Sequence, residues 1–222
     1  MSTTEKPIIK EVAADRKVGN HATKLVARLL VVMIVFAEAA EILIPLSRGQ
    51  FKPQEHFAYF TTWTSCLIAF CTMWILYRPK QARLQFWLLG NLAVSASIVS
   101  LVYWELVNTP GYWYVSSELI LHTLAPITTV IFFGLFSWQH GMRTRGWQPL
   151  TWIIVPLAYA IFVIVVGLGT KWYPYDFFNA DKYGWGHTFG MMGALLGAAV
   201  IISYVLWALV VLLPKWIRRK IM

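Results

Sequence analysis

The sequence predicts an all-α polytopic membrane bundle of six transmembrane helices with both termini in the cytoplasm. Three observations carry that expectation. First, 58% of the 222 residues are apolar and 13% are charged, whereas a soluble domain is roughly half apolar and a quarter charged. Second, six stretches reach the about 20 residues that a helix needs to cross a hydrocarbon core. Third, lysine and arginine fall very unevenly on alternate sides of those stretches.

The spans are expected at residues 25–46, 57–77, 84–107, 119–138, 150–169 and 188–213. Glu38 and Glu41 interrupt the first, and Arg78-Pro79-Lys80 stops the second hard, because proline neither donates a backbone hydrogen bond nor continues a helix. Pro110-Gly111 punctuates the connection between the third and fourth. The connection from Lys171 to His187 is long, aromatic and mixed in charge. Residues 1–22 read as a polar cytoplasmic tail, flexible or lying along the membrane surface. Residues 23–214 form one transmembrane domain, and residues 215–222 a basic cytoplasmic tail. The first span resembles a cleaved signal only loosely, at Ala37-Glu38-Ala39; its apolar run is too long and its leading tail too extended, so it is expected to be retained.

Orientation follows from the basic residues. Of the 19 lysines and arginines, only Arg48, Lys52, Lys171 and Lys182 fall on one side; the rest flank the other, which the positive-inside rule makes cytoplasmic. The net charge of +9 therefore serves topology and anionic lipid headgroups rather than nucleic acid. Cys66 and Cys71, five residues apart on one helix, point about 140° apart and cannot bridge each other. No metal-ligand cluster, glycine-rich phosphate loop or Gly-x-Ser-x-Gly elbow occurs, so no cofactor is expected.

Function then rests on polar residues that membrane burial makes expensive. Thr61 lies about one turn into the second span and His122 about one turn into the fourth, at matched depth near the outer face. A hydroxyl and an imidazole so placed are the parts of a nucleophile–base pair. Glu41, Glu105 and His187 gather near the same face. Thr61, Thr64 and Ser65, at i, i+3 and i+4, form a hydroxyl-bearing helical face. Pro126 follows His122 by four residues, so His122's own carbonyl loses its helical donor and the helix is expected to bend there. Such freed backbone is tolerated only against protein or a wet cavity. The competing reading of a membrane threonine is a hydroxyl bonded to its own i−4 carbonyl. Gly186, Gly190, Gly193 and Gly197 carry the spacing that lets membrane helices approach closely.

Tyr59-Phe60-Thr61 opening the second span, His122-Thr123-x-x-Pro126 in the fourth, and Trp172-Tyr173-Pro174-Tyr175 after the fifth resemble, in that order, the androgen-induced and androgen-dependent TFPI-regulating membrane proteins and their bacterial six-span relatives. The resemblance implies a membrane-embedded threonine hydrolase acting on fatty acid esters of hydroxy fatty acids or similar lipid esters, with the nucleophile at Thr61 and the histidine at His122. Thr62, next in sequence, is the alternative hydroxyl. Ser65, Tyr173 or backbone amides are the expected oxyanion donors, and Glu41 or Glu105 the group that orients the imidazole. The implied location is the bacterial cytoplasmic membrane, with the site open to the outer leaflet and membrane lipids as partners. Two non-enzymatic readings compete: a lipid or small-molecule transporter, and a haem carrier. The second lacks ligands, since His56, His122 and His187 share one side and, apart from His21 in the tail, His140 stands alone on the other.

Overall fold

The computed structural model describes residues 5–78, 81–107, 116–142 and 144–212. Among them every regular element is helical. Six helices are long and apolar enough to cross a membrane, covering His21–Ser47, Phe60–Tyr77, Ala82–Val107, Ser117–His140, Gln148–Thr170 and Trp185–Val210. The chain is thus an integral, multi-pass membrane protein built as an all-α bundle. Pro79, Lys80, Pro110-Gly111, Arg143 and the tail at 215–222 lie outside the described residues.

The first helix, α1 (Glu5–Ser47), begins well before its span, so the polar tail expected to be flexible is continuous with the membrane helix. Good helix formers such as Glu11, Ala13 and Ala14 follow Pro7, which sits in the first turn where its missing N–H costs nothing. Next come α2 (Phe60–Tyr77) and α3 (Ala82–Val102, extended by a π-helical turn, Tyr103–Val107). The core of the fourth span is α4 (Ala125–His140), preceded by the short helix Ser116–Leu119 and a π turn, Ile120–Leu124. A 3-10 turn (Gln148–Ile153) leads into α5 (Ile154–Thr170), and α6 (Trp185–Trp207) completes the bundle.

Lipid, not water, is the solvent of this surface. Along α1, Ala27, Leu30, Ile34 and Ala37 are buried while Leu25, Leu29, Val32 and Phe36 are exposed; both faces are apolar, as a bilayer-facing helix requires. Packing centres on α3, which lies against α2, α4, α5 and α6, with α1 against α2 and α4. Its tightest contact is at Gly90, where a Cβ would overlap the indole of Trp152. Trp152 is 1% exposed and edge-packed by Phe86 and Phe133. Asn91 ties the same helices together, donating to the Thr151 carbonyl at 3.0 Å. Gly90→Ala is therefore expected to lower the melting temperature in detergent by several degrees. Overpacking a filled core costs about 1–3 kcal/mol and outweighs the helix-propensity gain of about 1 kcal/mol. Gly193→Ala, which meets open space, is expected to leave it unchanged or slightly raised.

That contrast corrects one sequence expectation. Gly186, Gly190, Gly193 and Gly197 are all exposed, and a Cβ on any of them would meet nothing within 4 Å. Among the described residues they bring no other helix close; a small residue that does so is Gly90, on the central helix.

Candidate functional site

α2 begins at Phe60 because the chain enters it in extended conformation at Tyr59 (φ −76°, ψ 141°), which makes Thr61 only its second residue. This placement settles what the hydroxyl can do. Thr128, Thr129, Ser95 and Ser137, all inside helices, donate to their own i−4 carbonyls at 2.7–2.8 Å, the competing reading of a membrane hydroxyl. Thr61 has no such helical acceptor. Its i−4 carbonyl, Phe57, lies before the helix and accepts instead from the Trp63 indole at 2.8 Å. The Thr61 hydroxyl is free to turn inward, and its Oγ1 lies 3.2 Å from His122 Nε2.

His122 is presented by a helix defect that its own sequence dictates. Pro126 has no N–H for the His122 carbonyl, and the ladder slips by one residue: the Ala125 N–H bonds the Ile120 carbonyl across a π turn, Ile120–Leu124. The bend expected from Pro126 thus takes the form of a π bulge, a device common at functional sites. A second π turn, Tyr103–Val107, starts opposite, and Tyr103 stacks on the imidazole with ring centroids 3.9 Å apart and planes 14° from parallel. Behind the ring, Nδ1 lies 3.0 Å from the Glu118 carbonyl oxygen and 2.9 Å from that residue's own Oε2. A carbonyl oxygen can only accept, so the proton sits on Nδ1, leaving the Nε2 lone pair for the Thr61 O–H. Thr61, His122 and Glu118 thus stand in a hydroxyl–imidazole–carboxylate series.

The surrounding cavity is about 380 Å³. Its polar wall carries Glu38, Glu41, His56, Thr61, Glu118 and His122, and its apolar wall includes Val99 and Val102 of α3 and Met192 and Leu195 of α6. His56 Nε2 lies 3.3 Å from Glu38 Oε2. Burial pushes the His56 imidazole below its usual range, against the opposing pull of Glu41, so this second histidine favours its neutral form.

The long fifth connection folds down over this cavity. Asp176 accepts from Lys182 Nζ at 2.7 Å and from the Tyr183 hydroxyl at 2.9 Å, which hold the Asp176 carboxyl below the ordinary carboxylate range. Asn179 caps the turn Ala180–Tyr183. So braced, Tyr175 packs edge-on against Tyr59 at 5.5 Å, and its hydroxyl reaches the Thr61 hydroxyl and the backbone N–H groups of Phe60 and Thr61. Burial pushes the Tyr175 phenol up to about 12, although those donors pull it back. It stays protonated at neutral pH.

Several expected supporting residues stand elsewhere. Tyr173 turns away, packing on Gly167 with its hydroxyl buried and without a hydrogen-bond partner among the described residues; Tyr175, two residues on, takes the place expected for it. Ser65 is buried one turn below Thr61 and faces Glu38 rather than the cavity. Glu41 lines the cavity but Glu105 is exposed outside it, and the carboxyl beside His122 is Glu118. His187 is exposed, its ring against Tyr183 at 4.9 Å. Thr62 lines the cavity, but the hydroxyl on His122 is that of Thr61. Glu118 carries a legible signal, an acid four residues before the histidine on one helical face.

The fold and cavity define a class: a multi-pass helical membrane protein with a hydroxyl–imidazole–carboxylate series in a chamber that is polar on one side and apolar on the other. No protein-family model matches the chain, and no curated protein or solved structure is similar to it.

Proposed function

We propose that this protein is a membrane-embedded hydrolase of lipid esters, with Thr61 as nucleophile and His122 as general base. The observation that carries the reading is the 3.2 Å contact between Thr61 Oγ1 and His122 Nε2, in a bundle where Ser95, Thr128, Thr129 and Ser137 spend their hydroxyls on their own helix. His122 takes the Thr61 proton as Oγ1 attacks the ester carbonyl, then gives it to the departing alcohol. Water, deprotonated by the same imidazole, releases the acid from the acyl-threonine and restores the Thr61 O–H. The negative charge that builds on the carbonyl oxygen is met by the Tyr175 hydroxyl, itself held at the first turn of α2 by the Phe60 and Thr61 amides. An amphiphile suits the chamber, with its acyl chain along α3 and α6 and its ester at the polar wall.

The resemblance of Tyr59-Phe60-Thr61, His122-Thr123-x-x-Pro126 and Trp172-Tyr173-Pro174-Tyr175 to the androgen-induced and androgen-dependent membrane hydrolases supports the same chemistry. It adds fatty acid esters of hydroxy fatty acids as the substrate class. The uneven basic flanks favour an orientation with the cavity opening to the outer leaflet, and the resemblance to the bacterial six-span relatives favours a bacterial cytoplasmic membrane. The direct test is labelling with a fluorophosphonate probe. Wild-type protein and Glu105→Gln are expected to label, and Thr61→Ala and His122→Ala to stay blank. Labelling of Thr61→Ala at the wild-type rate overturns the assignment.

A further inference from the structure

A second cavity, of about 720 Å³, opens at the opposite end of the bundle. It lies between the start of α3, the end of α4 and the 3-10 turn that leads into α5. Its walls carry Arg83, Arg145 and His140 beside Trp87, Trp147 and Trp152. The hydrolase reading uses none of these residues.

We propose that this cavity binds the phosphate of an anionic phospholipid headgroup. Charge is the first argument. Two guanidiniums share this chamber, and no carboxylate stands among the residues that line it. Arginine is the side chain best matched to phosphate, because its planar fork donates two parallel hydrogen bonds. The two arginines also come from different segments, one opening α3 and one in the connection after α4, and a shared anion relieves their mutual repulsion.

Pre-organisation is the second argument. Basic residues that serve only topology need no cavity around them. Here the walls are fixed: Trp152 is wedged on Gly90, the Trp87 indole donates to Thr151 Oγ1 at 2.7 Å, and the Arg145 amide donates to Gln148 Oε1 at 2.9 Å. Its volume is that of an ordinary ligand chamber, within the range of about 300–1,000 Å³. Indole rings beside cations are suited to the level where headgroup meets acyl chain. Trp147, 55% exposed, leaves the chamber open at its side, where a lipid enters from the bilayer.

The full chain in nanodiscs tests this, with phosphatidylcholine alone or with one-fifth phosphatidylglycerol replacing it, read by thermal stability and by lipid adducts in native mass spectrometry. Phosphatidylglycerol is expected to raise the melting temperature and to remain bound, and Arg83→Gln with Arg145→Gln to weaken that retention about tenfold or more, as loss of charge-assisted hydrogen bonds implies. Arg78→Gln, on the same flank but outside the cavity, is expected to retain the lipid. Arg83→Lys with Arg145→Lys keeps the charge while losing the fork; intermediate retention supports a phosphate site even if the glutamine pair folds poorly. Glycerol phosphate and inorganic phosphate form the soluble arm. Stabilisation by them alone, without phosphatidylglycerol, overturns the lipid source, and equal retention by the Arg78 and cavity variants reduces the effect to general surface attraction and overturns the site.

Discussion

Replacing Thr61 or His122 by alanine is expected to lower ester hydrolysis about 10³-fold or more, with the double variant scarcely worse than either single one. The expectation follows from how the two side chains act. Oγ1 is a poor nucleophile until a base 3.2 Å away accepts its proton, and the imidazole has no productive proton to take once the hydroxyl is gone. Groups that function as a unit are strongly non-additive when removed together. Thr61→Ser, which keeps the hydroxyl and loses a methyl, is expected to retain measurable turnover. Rates with a medium-chain ester in mixed micelles, measured for the two singles and the double, check this. Additive losses in the double variant would mean that threonine and histidine serve separate steps.

Six spans and their order were legible because a bilayer imposes one requirement everywhere: enough consecutive apolar residues to cross it with every backbone group bonded internally. Thr61 and His122 were legible for a related reason, since a polar group inside such a segment is costly and so stands out. The orienting acid was obscured by a boundary. A fourth span read as beginning at residue 119 leaves Glu118 in a loop, whereas the helix already runs from Ser116 and sets Glu118 one turn before His122. Tyr175 was obscured because sequence cannot say how an irregular connection folds back. Braces at Asp176 and Asn179, within the folded connection, help bring its hydroxyl to α2 while Tyr173 turns to Gly167. The glycine series on α6 shows the converse hazard: the spacing permits close approach, but no helix among the described residues takes it up.

Glu118 carries the second large expectation. Glu118→Gln and Glu118→Ala are expected to lower kcat about 10–100-fold, the usual consequence of removing a charged group that supports a reacting side chain from behind, while KM stays within about twofold. The ring keeps its place in either variant, because the Tyr103 stack and the Glu118 backbone carbonyl remain. What disappears is the negative charge 2.9 Å from Nδ1, which matters most when the imidazole has taken the Thr61 proton and is itself positive. That charge develops in the transition state and is absent from the bound ester, so kcat and kcat/KM are expected to fall together. Fluorophosphonate labelling depends on the same proton transfer and should slow by a similar factor. Glu105→Gln, exposed and outside the cavity, serves as the control that leaves both rates unchanged. If the Glu105 variant loses activity and the Glu118 variants keep it, the positioning role passes to the other carboxylate. A rise in KM with kcat intact would mean that Glu118 meets the substrate and not the imidazole.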